Sequence, residues 1–168
     1  MKDLFLAGAG VFLLIGSVAN NLAIGGESKT VDLVLKVFVD APPPCSVEGS
    51  AVEFGSVIIK QIDGSNYRQE AGYKLDCSGR LADDLRMQLK GTTTTINGET
   101  VLSTGIDGFG IRIENAADNS LFAVGENNWT SFDYNSLPKL NAVPVKQSGA
   151  QLMASEFNAS MTMVVDYQ

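Results

Sequence analysis

Few residues in this 168-residue chain could do chemistry, and the first thing to note is that there is no histidine. General acid–base work would therefore fall to carboxylates or lysines. The only adjacent acidic pair, Asp83-Asp84, sits in a polar connection and reads as a solvated turn, not as the carboxylate pair of a glycosidase. Ser148-Gly149 has no partnered base. Cys45 and Cys77 are the only cysteines, and two thiolates rarely suffice for a metal. In an exported chain they form a disulfide across residues 46–76, worth roughly 3–4 kcal/mol by chain entropy; in a reducing compartment they would be two buried thiols. Asn128-Trp129-Thr130 and Asn158-Ala159-Ser160 match a glycosylation sequon too short to be specific. Trp129, the sole tryptophan, could stack on a sugar, but beside Phe132 and Tyr134 it reads as core or rim packing. The sequence thus offers no catalytic residue, no cofactor site and no metal site. A net charge of -7, with no cluster of Lys and Arg, excludes a nucleic-acid groove.

Something else must organise the chain, and its two ends supply it. Lys2, an apolar run over residues 4–16 and Ser17-Val18-Ala19 divide as a secretory signal does, with cleavage expected after Ala19. The apolar run would span roughly 20 Å as a helix, short of the ~30 Å hydrocarbon core that a membrane anchor must cross. No later stretch could cross a membrane as a helix. Val31, Leu33, Leu35, Val37 and Val39 then alternate with Asp32, Val34, Lys36 and Phe38, so this leader strand has one wholly apolar face. Pro42-Pro43-Pro44 ends it. The chain closes on a matching alternation, with Phe157, Ala159, Met161, Met163, Val165 and Tyr167 on one face.

Between these ends, hydrophobic residues at 45% and 17 glycines suit short strands and turns. Residues 51–59 read as a strand kinked at Gly55, 67–77 as a strand bearing Cys77, and 85–89 as a clean alternation. Asn97-Gly98 signals a hairpin. Residues 109–114 alternate again, and Pro138 and Pro144 mark residues 137–145 as an edge or bulged strand. About nine short strands with no convincing helix indicate an antiparallel β-sandwich. By periodicity alone the leader strand could equally pair within its own sheet or serve another molecule.

Taken in order, Val39-Asp40-Ala41-Pro42 before a cysteine, Val52, Phe54 and Gly55 soon after it, a second cysteine at 77, the strand from Phe109 to Ile113, and an ending on Phe157, Ala159, Met161, Met163, Val165 and Tyr167 resemble the pilin subunits of chaperone–usher fimbriae. The resemblance covers nearly all of residues 20–168. Two positions depart from it: Lys36 stands where family leaders carry a glycine, and Ser155 stands where a glycine usually precedes the closing phenylalanine.

This resemblance implies an all-β fold, an incomplete immunoglobulin-like antiparallel β-sandwich completed by a donor strand from a partner. It divides the chain into a signal peptide at 1–19, a donor-strand extension at 20–40 and a pilin domain at 41–168. Val31, Leu33, Leu35, Val37 and Val39 would be the donor residues, and Phe157, Ala159, Met161, Met163, Val165 and Tyr167 the groove that a chaperone strand fills first. The implied partners are a periplasmic chaperone, an outer-membrane usher and neighbouring pilin subunits, with no nucleic acid and no membrane span in the mature chain. The implied role is a shaft or adaptor subunit, exported through the periplasm to the surface fimbria. The competing expectation is a self-contained secreted β-sandwich binding module, in which the leader is integral to the fold.

Overall fold

The computed structural model describes residues 44–168. The signal segment and the leader residues Val31, Leu33, Leu35, Val37 and Val39 lie outside the described residues. Ten strands follow: β1 Ser46–Gly49, β2 Gln69–Glu70, β3 Tyr73–Asp76, β4 Asp84–Lys90, β5 Thr93–Ile96, β6 Glu99–Ser103, β7 Phe109–Asn115, β8 Trp129–Asp133, β9 Leu140–Lys146 and β10 Thr162–Tyr167. They form a pair β1-β3, a three-stranded sheet β10-β4-β8 and a five-stranded sheet β2-β9-β7-β6-β5. Every ladder between strands is antiparallel, as expected. Among the described residues the helical content is one 3-10 turn, Ile59–Gln61, and no helix is long and apolar enough to cross a membrane.

The core follows from alternation. Leu85, Met87 and Leu89 of β4 are fully buried and face Ile111 and Ile113 of β7, Leu140 and Ala142 of β9, and Leu102 of β6. The spacing of two that put these side chains on one face of each strand also put Arg86 and Arg112 on the other. The Asn97-Gly98 hairpin forms between β5 and β6 with φ of 51° and 87°, the two positive values that a two-residue I′ turn demands. Gly110 is needed for another reason: a Cβ there would lie 2.6 Å from Val101 and 2.9 Å from the Leu102 carbonyl.

Cys45 and Cys77 are bonded, with their Cα atoms 4.1 Å apart. Ser46 of β1 pairs with Asp76 of β3, so the disulfide continues that register by one residue. It closes the open end of the β1-β3 pair. A strand of four residues with one partner would otherwise fray.

Several sequence expectations need correction. Residues 51–58 form no ladder, because Gly55 takes a φ of +61° and turns the segment off the β1 line. The closing strand is in a ladder only from Thr162 onward, since β4 ends at Lys90 and offers nothing to pair with residues 157–161. The strand carrying Pro144 runs mid-sheet, between β2 and β7. Bonds from Gln147 N to Gly108 O and from Ala116 N to Lys139 O place Pro144 opposite Ile111 at a non-hydrogen-bonded position, with its missing N–H turned toward the side where β2 has already ended. Trp129 is not in the core: it lies on the outer face of the β10-β4-β8 sheet, 37% exposed, with the Arg86 guanidinium 4.5 Å over its ring.

Candidate functional site

The carboxylate pair is scattered into structural roles. Asp83 accepts from Arg80 at 2.6 Å, whose guanidinium holds the Asp83 carboxyl below the usual carboxylate range, and Asp84 opens β4. Among the described residues no group of acidic or sulfur side chains could hold a metal ion.

What the fold leaves open is a pair of strand edges. β10 is hydrogen-bonded to β4 on one side only, and β1 to β3 on one side only. Between these rims runs a groove of about 660 Å³. One rim is 47–54; the other is 157–163. Its floor is core: Leu102, Ile111, Ile113 and Ala142 all line it, so the same side chains that face β4 also carry the base of the groove. At the far end Phe157 stands edge-on to Phe109, centroids 4.9 Å apart, and 6.0 Å from the Phe54 ring. Beyond it a second cavity of about 540 Å³ opens between residues 52–62 and 152–157.

The expected groove residues fall into two groups. Phe157, Ala159, Met161 and Met163 line the groove, with Ala159 exposed on its rim and the two methionines half-buried. Val165 is buried in the core, and Tyr167 lies past the groove, where its hydroxyl accepts a hydrogen bond from Leu81 N at 3.0 Å. The rim segment is held close by Gly91, where a Cβ would lie 2.6 Å from the Ser160 carbonyl. β10 itself is clamped to β4 by Arg86, which donates to Asp166 at 2.8 Å and lowers the pKa of that carboxyl. Tyr73 also lines the groove; its hydroxyl donates to the Pro138 carbonyl, and burial pushes its pKa up to about 12.

Sequence reasoning missed the opposite rim, 47–54, and the floor on β6, β7 and β9. Alternation marked Ile111 and Ile113 as inward-facing, but it carries no record of what covers them. It also missed Glu114, fully buried on the outer face of β7, which accepts from Arg68 at 2.9 Å and Arg112 at 2.6 Å. Arg68 and Arg112 were the available signal, since a buried carboxylate persists only when paired.

Two unpaired backbone edges over an apolar floor can do one thing well. They can accept an extended peptide that hydrogen-bonds to both rims and presents apolar side chains at every second position.

The sequence profile of the fimbrial protein family matches residues 32–168. This chain belongs to that family. It is 67% identical over 168 residues to the uncharacterized fimbrial-like protein YfcR of Escherichia coli (strain K12), covering 100% of this chain and 97% of that protein. It is 36% identical over 167 residues to the uncharacterized fimbrial-like protein YfcQ of the same organism, covering 94% and 98%. Among solved structures, the P pilus rod subunit PapA is similar in fold, with a TM-score of 0.53 at 18% identity over 83% of this chain and 99% of that one. The P pilus adaptor subunit PapF gives 0.51 at 21%, over 75% and 97%. The chain is a fimbrial subunit of pilus type, and its fold is the incomplete immunoglobulin-like sandwich that the sequence resemblance implied.

Proposed function

We propose that this protein is a structural shaft or adaptor subunit of a chaperone–usher fimbria and polymerises by donor-strand exchange. The observation that carries the reading is the groove between two unpaired rims, 47–54 and 157–163, with core residues as its floor. Export removes residues 1–19, residues 20–40 act as the donor extension, and residues 41–168 form the domain. A periplasmic chaperone lends a strand to the groove. At the outer-membrane usher the leader of a neighbouring subunit, presenting Val31, Leu33, Leu35, Val37 and Val39, replaces it, and the fibre reaches the cell surface to support adhesion.

The magnitudes favour such a joint. Burying five aliphatic side chains at about 1.5–3 kcal/mol each yields on the order of 7–15 kcal/mol before entropy costs, comparable to the stability of a whole domain. A strand so held leaves slowly, as a fibre under load requires. Co-expression with a periplasmic pilus chaperone tests the reading. The wild-type chain is expected to co-purify with it, and co-purification undiminished by Met163→Glu and Tyr167→Ala together would count against it.

A further inference from the structure

We propose that the groove is filled by residues 31–39 of a second copy of this chain and not by the chain's own leader, because Pro42-Pro43-Pro44 denies the leader its own groove. This rests on the functional reading above and adds to it a reason for assembly in trans.

The geometry begins at the buried, disulfide-bonded Cys45. From there one rim runs away, Val47 to Phe54. The other rim returns, from Phe157 beside Phe54 through Met163 toward Tyr167, whose hydroxyl receives the Leu81 N–H a few residues beyond Cys77. Cys45 therefore stands at the mouth of the groove, and the chain before Pro44 joins the domain there. For the leader to lie in its own groove it must reverse direction between Val39 and Cys45 and then run antiparallel to β1.

The intervening residues, Asp40-Ala41-Pro42-Pro43-Pro44, resist every common reversal. Ala41, Pro42 and Pro43 each precede a proline and are steered away from the α region that type I turns need. Type II and the two primed turns need positive φ, which proline cannot adopt. What is left is a cis bond before a proline, the minority isomer. A reversal placed upstream, at Val39-Asp40, does not help. Consecutive prolines favour an extended helix rising about 3.1 Å per residue, so the leader would retrace about 9 Å outside the mouth and lose three of its residues to the groove. A leader from a second copy enters without any turn. Family members that end this segment on a single proline face a weaker version of the barrier, whereas here three stand in a row.

The test uses the full chain from Asn20 in three forms, refolded in dilute solution and probed with a labelled peptide of residues 30–40. The forms are the wild type, a turn variant (Pro42→Asn with Pro43→Gly) and a leader-spoiled variant (Leu35→Glu with Val37→Glu). The wild type is expected to bind peptide and to self-associate as its concentration rises. The turn variant should become a closed monomer, because a leader on a short flexible connection reaches an effective concentration on the order of millimolar and should weaken the apparent peptide affinity a hundredfold or more, on the order of. The leader-spoiled variant should bind peptide and not self-associate. If the wild type is a monomer closed to peptide while the leader-spoiled variant binds it, the leader fills its own groove and the proposal fails, although the groove reading stands. If the turn variant binds peptide and self-associates as the wild type does, the prolines have no such role. If no form binds peptide, the groove reading fails and this proposal with it.

Discussion

Asp166 on β10 lies directly opposite Arg86 on β4 in the ladder register, and their side chains meet at 2.8 Å. This pair ties one rim of the groove to the sheet beside it. The Arg86 guanidinium also stacks 4.5 Å over the Trp129 ring on β8, so one cation spans all three strands of that sheet.

Acid should therefore loosen the rim first. Hydrogen bonding to Arg86 lowers the folded-state pKa of Asp166 below 3.8, and bonding to Arg80 does the same for Asp83. A depressed carboxylate contributes stability that is fully present above its unfolded pKa and is lost as pH falls through the folded one. Thermal melts are expected to be flat in this respect above about pH 5 and to fall below about pH 4, and Asp166→Asn should flatten part of that fall. Both carboxylates are surface groups, so the effect should shrink in high salt.

Breaking the disulfide removes the tie at the end of the β1-β3 pair. A loop of this size contributes roughly 3–4 kcal/mol in the chain-entropy model. Urea unfolding of Cys45→Ser with Cys77→Ser is expected to show a loss of that order. The amides of β1 should lose protection before those of β4 or β7.

Glu114 is fully buried against Arg68 and Arg112. Glu114→Ala leaves two arginines without their shared carboxylate and should cost on the order of 3–5 kcal/mol. Arg68→Ala should cost less, because Arg68 is itself part-exposed and Arg112 still satisfies the carboxylate. Denaturant midpoints of the two variants decide the order.

Met163 lines the groove while half-buried. Met163→Glu is expected to change the melting temperature of the isolated subunit little and to reduce capture of an incoming strand at least tenfold, about the cost of losing one well-packed side chain. Isothermal titration with a leader peptide separates the two effects.

How much of this was legible in the sequence depended on how local the signal was. Leu85, Met87 and Leu89 announced β4 because a period of two is written in adjacent residues, and Asn97-Gly98 announced its hairpin because the turn needs only those two conformations. The Cys45–Cys77 bond was legible from cysteine count and export. Pro144 misled because its tolerance in the middle of a sheet depends on where β2 ends, a fact carried by residues 69 and 70. Trp129 misled because its partner, Arg86, is on another strand. The groove was half-visible: Met161 and Met163 stood out by alternation, whereas the 47–54 rim and the floor at Leu102 and Ala142 arise only when distant strands pack together.

Amide hydrogen exchange with and without a peptide of residues 30–40 tests the strand-accepting groove most directly. Without peptide, the backbone of the two rims, 47–54 and 157–163, should exchange quickly, having no ladder partner on the groove side. With peptide, protection should rise at both rims together, and the strands β5 and β8 on the outer edges should be unaffected. If the rims exchange at the same rate with and without peptide, or if they are already protected in the free chain, no strand is accepted there and the donor-strand function is contradicted.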